Sequence, residues 1–168
     1  MKVLMISKDA KILEDGSAVR RRMLDYGKLA EELHIVIIAN GMNELKMIKI
    51  ADNVFAYPVN FSNFLGYVIN GVAMAKKIAI DNYFSAADLV TCQDPFESGL
   101  VGWLATRHFH AMLQLQIHTD FLSPFFRKES LINRVRVWLA RRLLPAADGV
   151  RVVSQRIRES LKAADYRL

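Results

Sequence analysis

Three polar breaks in an otherwise apolar chain carry the residues best suited to chemistry. Gln93, Asp94 and Pro95 follow the run Leu89-Val90-Thr91-Cys92, and Glu97 and Ser98 come directly after. Pro95 cannot continue a ladder and pushes Asp94 towards an extended conformation, so a strand ends there with Gln93 and Asp94 at its tip. Glu97 and Ser98 then suit the positive end of an incoming helix. His118-Thr119-Asp120 follows a second apolar run, Met112 to Ile117. His118 can donate to a sugar hydroxyl or a phosphate, with Asp120 fixing its tautomer; the plain alternative is a satisfied polar residue at a strand end. The third break, Lys8 to Ser17, ends in Asp15-Gly16-Ser17 just before a helix. Exposed N–H groups there can receive a phosphate or sugar oxygen, or the segment is an ordinary glycine turn with a serine cap.

Other chemistries are excluded by what is missing. The first turn has neither G-x-G-x-x-G nor G-x-x-x-x-G-K-[ST], so dinucleotide and P-loop ATP readings fail. His108 and His110 are two apart on a helix end, which does not place them on one face, and no metal is expected. The single cysteine, Cys92, excludes a disulfide framework and reads as a small core hydrophobe.

The elements that must position these breaks alternate from end to end. Strands are expected at Lys2 to Ser7, His34 to Ala39, Leu45 to Ile50 (an edge), Val54 to Val59 (peripheral, because of Pro58), Leu89 to Cys92, Met112 to Ile117 and Gly149 to Val153. Helices are expected at Ala18 to Leu33 with Ser17 as cap, Ser62 to Phe84, Glu97 to His108, Ser130 to Leu144 and Gln155 to about Ala164, with a loop through Ser123-Pro124. The fold class is α/β: one doubly wound, mostly parallel sheet with helices on both faces, Rossmann-like, over a single domain 1–168. Right-handed crossovers favour the strand order 3-2-1-4-5-6, which sets the first and fourth major strands side by side. Ligands bind in the crevice at that switch point, and all three polar breaks end there.

Composition bounds the partners. The chain has 168 residues, 52% hydrophobic, with a net charge of +6. The cations concentrate at Arg20-Arg21-Arg22 and from Arg127 to Arg158. Within the second block, Ser130 to Leu144 sets Leu131, Ile132, Val135, Trp138, Leu139 and Leu143 on one side and Arg134, Arg141 and, less cleanly, Arg136 elsewhere, with Arg142 beside them. This helix reads either as an interfacial helix on anionic lipid or as a surface helix with a solvated arginine face. No nucleic-acid motif occurs. No segment has the length and apolarity of a membrane span, nor the start of a signal peptide, so a cytoplasmic protein, at most peripheral on the inner membrane face, is expected.

The succession ADLVTCQDPFESGLVGWLATR, LQIHTD and RRLLPAADGVRVVSQRIRESL resembles the N-terminal domain of glycosyltransferase family 4, retaining enzymes of the GT-B fold. The chain departs from the family at Asp15-Gly16-Ser17, where two glycines are common, and at Thr119, where glycine often follows the histidine. The resemblance implies that Gly16, flanked by Asp15 and Ser17, lies by the donor diphosphate and the acceptor. It implies that His118 contacts the transferred sugar, and that Gln93, Asp94, Thr119 and Asp120 line the acceptor cleft. Asp94 is then the better acceptor contact and Glu97 a helix-terminus charge.

Such a transfer needs no protein nucleophile and, by resemblance, no metal or other cofactor beyond the nucleotide-sugar donor. The expected partners are a C-terminal nucleotide-sugar domain, absent from these residues, and a glycan, lipid-linked or small-molecule acceptor, as in cell-envelope glycan biosynthesis. The isolated domain is expected to be inactive. From a different class, the chain reads as a non-catalytic binding module that uses its basic last third as a membrane or partner platform.

Overall fold

The computed structural model describes residues 1–41 and 46–166. Among these residues seven strands form one sheet: β1 (Val3–Ser7), β2 (Leu33–Ile38), β3 (Ile48–Ala51), β4 (Val54–Val59), β5 (Leu89–Cys92), β6 (Met112–Ile117) and β7 (Gly149–Val152). Their order is β3-β4-β2-β1-β5-β6-β7, with every pair parallel except β3·β4. With the antiparallel edge strand set aside, this is the doubly wound order read from the alternation of strand and helix. The expected edge strand began at Leu45, which lies outside the described residues.

Among the described residues six α-helices pack on the sheet, α1 (Ala18–Gly27), α2 (Phe64–Asp81), α3 (Glu97–Phe109), α4 (Pro124–Glu129) and α5 (Leu131–Leu143) between strands and α6 (Gln155–Ala163) after the last. Side-chain caps set several starts, with Ser17, Asn63, Ser130 and Ser154 each accepting from a backbone N–H of the first turn. Residue parity divides the sheet. Leu4, Ile6, Val36, Ile38, Val90, Cys92, Leu113, Leu115 and Ile117 face the larger core under α2, α3 and α5. Met5, Leu33, Ile35, Ile37, Val54 and Ala56 face α1 across the smaller one. On that second side the sheet continues over β5, β6 and β7 as Thr91, Gln114, Gln116 and Arg151, which line an open cavity of about 250 Å³.

Four expectations are corrected. α1 stops at Gly27 and Leu33 opens β2, because Asn53 Nδ2 donates to the carbonyls of Gly27 and Ala30 and takes the place of a further helical turn. Pro58 does not make β4 peripheral, since β4 is paired on both sides. The β3 ladder ends at Ala56, before the proline can withhold a donor from it. Ser123-Pro124 is no loop; the proline starts α4, where a missing N–H costs nothing. Finally, α5 has two apolar faces. Val137, Leu139, Ala140 and Leu143 go inward, whereas Leu131, Ile132, Val135 and Trp138 are 53–73% exposed.

The sheet and α3 approach closely at Gly102, where a Cβ would collide with the Cys92 sulfur and crowd Leu113 and Val90. Burial pushes the Cys92 thiol well above its usual range, so it stays protonated and acts as core packing. Gly102→Ala is expected to lower unfolding stability by about 1–3 kcal/mol through overpacking. Gly149→Ala, with open space at its Cβ, is expected to be neutral or slightly stabilising. Denaturant midpoints of the two variants check the difference.

Candidate functional site

β1 and β5 lie side by side at the switch point, and their outgoing chains are tied together. Gln93 N–H donates to the Ile6 carbonyl (3.1 Å), and the Ser7 hydroxyl donates to Gln93 Oε1 (2.7 Å). From there the two faces of the sheet present two different surfaces.

On the α2/α5 side, Lys8 follows β1 and places its ammonium 3.0 Å from Asp94 Oδ2 and 2.6 Å from Glu97 Oε2. Arg136 of α5 donates from Nε to the other oxygen of Glu97 at 2.7 Å. Asp94 also caps α3. Its Oδ1 accepts from the N–H groups of Phe96 and Ser98, and its Oδ2 accepts from the Ser98 hydroxyl, which is 3.0 Å from Tyr67 Oη. Desolvation opposes ionisation of Glu97, but the hydrogen bonds and charges of Lys8 and then Arg136 outweigh it and hold the carboxyl below its usual value. Two cations and two carboxylates thus form a neutral cluster. Its Lys8, Glu97 and Arg136 floor a groove of about 610 Å³ whose walls are mainly apolar, including Phe61, Phe64, Tyr67, Ile132, Val135 and Leu139, while Asp94 holds Lys8 from behind. Arg136 is therefore not part of an outward basic face; it is turned inward to Glu97.

On the α1 side, His118 continues β6 beside a cavity of about 310 Å³ with Arg22, Tyr26, Gln93, Gln116 and Arg151. A chain of hydrogen bonds runs across the sheet to it. The Thr91 hydroxyl donates to Gln114 Oε1 (3.0 Å), Gln116 Nε2 donates to the same hydroxyl (2.9 Å), and Gln116 Oε1 then faces His118 Nε2 at 3.3 Å. Because the Gln116 amide nitrogen is committed to Thr91, the end that faces the ring is the oxygen, which only accepts. Neutral His118 therefore carries its proton on Nε2 and presents Nδ1 as an acceptor. Partial desolvation and the charges of Arg151 and Arg22 lower its pKa against the pull of Asp94, which keeps the ring neutral at pH 7.

The remaining expected site residues do not all converge. Gln93 lines the His118 cavity, whereas Asp94 belongs to the groove cluster. Asp120 does not fix the His118 tautomer, because its Oδ1 accepts from Ser160 and its Oδ2 pairs with Arg156, tying down α6. Thr119 is exposed, and its carbonyl accepts from Phe121 N–H. Gly16 has φ +75° and open space at its Cβ. Ser17 is used as the cap of α1 and donates to the Lys11 carbonyl, and Asp15 pairs with Arg20 at 2.9 Å. That turn lines neither the groove nor the His118 cavity. Lys8, Tyr67, Gln116, Arg22 and Arg151 were missed. The signal for Lys8 was its place directly after the first strand, and for Gln116 the polar alternation of Met112-Leu113-Gln114-Leu115-Gln116-Ile117. Among the described residues, no group of three or more His, Cys, Asp or Glu is placed to hold a metal ion, and no helix is long and apolar enough to cross a membrane.

Glu97→Gln is expected to lower stability at neutral pH by about 1–2 kcal/mol, a modest value because Lys8 and Arg136 keep a third or more of their side chains in water. A depressed carboxyl contributes fully above its unfolded value of about 4.5 and loses that contribution as pH falls through the folded value. Urea unfolding of both proteins from pH 7 to pH 3 should therefore show a constant gap that closes in acid. Imidazole ¹⁵N spectra at pH 7.5 should show His118 as the Nε2–H tautomer. Thr91→Val frees the Gln116 amide to rotate and should yield a tautomer mixture; an unchanged spectrum would contradict the relay.

A family model described as "Glycosyl transferase 4-like domain" matches residues 84–167, from before β5 to beyond α6. No curated protein matches the sequence. Among solved structures, the chain resembles a sucrose-phosphate synthase from Thermosynechococcus elongatus, with a TM-score of 0.64 at 15% identity over 96% of this chain and 81% of that one. It also resembles a UDP-GlcNAc 2-epimerase from Methanocaldococcus jannaschii, with a TM-score of 0.62 at 12% identity over 99% of this chain but 43% of that one. At such identities the structures attest the fold, a Rossmann-like half of the GT-B arrangement. With half of its length matched, including both strand-end breaks at Gln93 and His118, the chain belongs to the glycosyl transferase 4-like domain family.

Proposed function

We propose that the chain is the acceptor-side domain of a retaining glycosyltransferase, which moves a sugar from a nucleotide-sugar donor to an acceptor hydroxyl. The observation that carries this reading is the neutral imidazole of His118 at the switch-point crevice, with its tautomer set from below and two guanidinium groups, Arg22 and Arg151, beside the same cavity. Nδ1 accepts a hydrogen bond from a hydroxyl of the transferred sugar and fixes its orientation. Arg22 and Arg151 supply positive charge where the diphosphate leaves, a role we assign to side chains rather than to a metal. The turn at Gly16 lines neither surface and has no contact in this reading. The acceptor hydroxyl is held on the face from which the nucleotide diphosphate departs, so the reaction needs positioning and charge stabilisation but no protein nucleophile.

On this reading the groove floored by Lys8, Glu97 and Arg136 receives the acceptor. Its apolar walls favour an acceptor with an apolar portion, such as a lipid-linked glycan. A nucleotide-sugar-binding domain supplies the facing wall, so these residues alone bind but do not turn over. In an enzyme containing both domains, His118→Ala is expected to lower transfer about 100-fold, read as the initial rate with a nucleotide-sugar donor. A rate within twofold of the parent would remove His118 from the site. Turnover by the 168-residue chain alone would refute the need for a second domain.

A further inference from the structure

We propose that the α4–α5 surface seats the protein on an anionic lipid bilayer, with lipid phosphates in a four-cation pocket and the outer face of α5 in the interfacial layer. Leu131, Ile132, Val135 and Trp138 are 73%, 62%, 53% and 57% exposed, on the side of α5 opposite the buried Val137, Ala140 and Leu143. This leaves an apolar stripe in water between the exposed Arg134 and Arg141 and the protein, and α4 adds Phe125 at 77% exposure. The charge arrangement selects the partner. Arg127 and Lys128 of α4 and Arg134 and Arg141 of α5 line one cavity of about 540 Å³, and no carboxylate lines it with them. Glu129 turns to Asn133, Arg136 is taken by Glu97, and Arg156 by Asp120. The four cations thus make no ion pair among the described residues. Arg142 lies over the Trp138 ring, 5.7 Å from its centroid, which keeps a guanidinium at the level where an indole sits in a headgroup layer.

An apolar stripe bordered by unpaired cations fits an anionic bilayer on both counts: acyl carbon for the stripe and headgroup phosphate for the pocket. A second copy of this chain would bring the same cations face to face, and a soluble phosphate would leave the stripe in water. The surface borders the groove of the proposed acceptor site through Ile132 and Val135, which line it. A membrane-seated protein would therefore open that groove towards the lipid. The inference itself stands on the α4–α5 surface alone and is tested without any assay of transfer.

The test is sedimentation of the chain with vesicles of pure phosphatidylcholine, or of phosphatidylcholine with 40 mol% phosphatidylglycerol (~40%, enough to give a strongly anionic surface). A Trp103→Phe protein leaves Trp138 as the one tryptophan, excited selectively at the red edge where the tyrosines do not absorb. The expected result is binding to the anionic vesicles only, loss of binding in about 0.5 M salt, and a blue shift of Trp138 emission. R134Q with R141Q should weaken binding roughly tenfold or more, V135D should abolish the blue shift, and K76Q with K77Q, which removes the same charge elsewhere, should change nothing. Circular dichroism checks that each variant is folded. No binding to anionic vesicles overturns the proposal, as does equal binding to phosphatidylcholine. Binding without a Trp138 shift assigns the contact to another surface. Displacement by millimolar inorganic phosphate, or a concentration-dependent dimer that V135D dissociates, assigns the face to a soluble anion or a second copy; both outcomes defeat it.

Discussion

The neutral cluster of Lys8, Asp94, Glu97 and Arg136 is the constraint on which the site end of the molecule depends. It joins three segments distant in sequence: the chain leaving β1, the turn from β5 into α3, and the middle of α5. Glu97 is buried, but Lys8 and Arg136 keep a third or more of their side chains in water, and each carboxylate oxygen has a directed donor that offsets the desolvation cost. Asp94 does more than pair with Lys8. It caps α3 in place of Phe96, whose side chain has nothing to donate or accept. If that turn moved, the floor of the groove, the cap of α3 and the position of Gln93 against Ser7 would move together. The cluster defines one wall of the crevice because it fixes where the strands stop and the helices start.

The sheet could be read from the sequence because its signals are local and agree with one another. Runs such as Leu89 to Cys92 and Met112 to Ile117 are short, β-branched or alternating, and bounded by polar breaks, and right-handed crossovers leave few ways to order them. The boundaries that failed did so through contacts no local pattern encodes. The apolar spacing of Leu29, Ala30 and Leu33 continues the α1 stripe, yet Asn53, far along the chain, takes the carbonyls of Gly27 and Ala30 and ends the helix. In α5 the periodicity was real but its sense was ambiguous. Two apolar faces on one helix give the same spacing as one broad face, and only the packing of Val137 and Ala140 shows which of them points inward.

The same distinction explains the site. Sequence proximity suggested that Asp120 orients His118, but residues share a face of a strand at a spacing of two only while the strand lasts. Gln116 lies within β6 and on the side of His118; Asp120 lies beyond the strand end, where the chain has turned towards Ser160 and Arg156. The residue controlling the imidazole was therefore the earlier neighbour. The reason a glutamine serves there is visible one strand away, where the Thr91 hydroxyl fixes which end of the amide faces the ring. A buried apolar residue at either position would leave the ring free to choose its tautomer.

The parity of the strands has a further consequence for how the two surfaces at the switch point are related. Ser7 and Lys8 are adjacent in the chain, but one points to the α1 side and holds Gln93, while the other points to the α2/α5 side and holds Asp94 and Glu97. Gln93 and Asp94 divide in the same way one strand over. The polar cavity at His118 and the mainly apolar groove are thus mechanically coupled through two dipeptides, although their linings are chemically opposite. In the proposed transfer, the sugar and its charged leaving group belong to the first surface and the acceptor to the second. A displacement of α5, including one by a lipid surface acting on its outer stripe, reaches that division along a line of ion pairs: Arg136 pulls on Glu97, Glu97 on Lys8, and Lys8 on the end of β1.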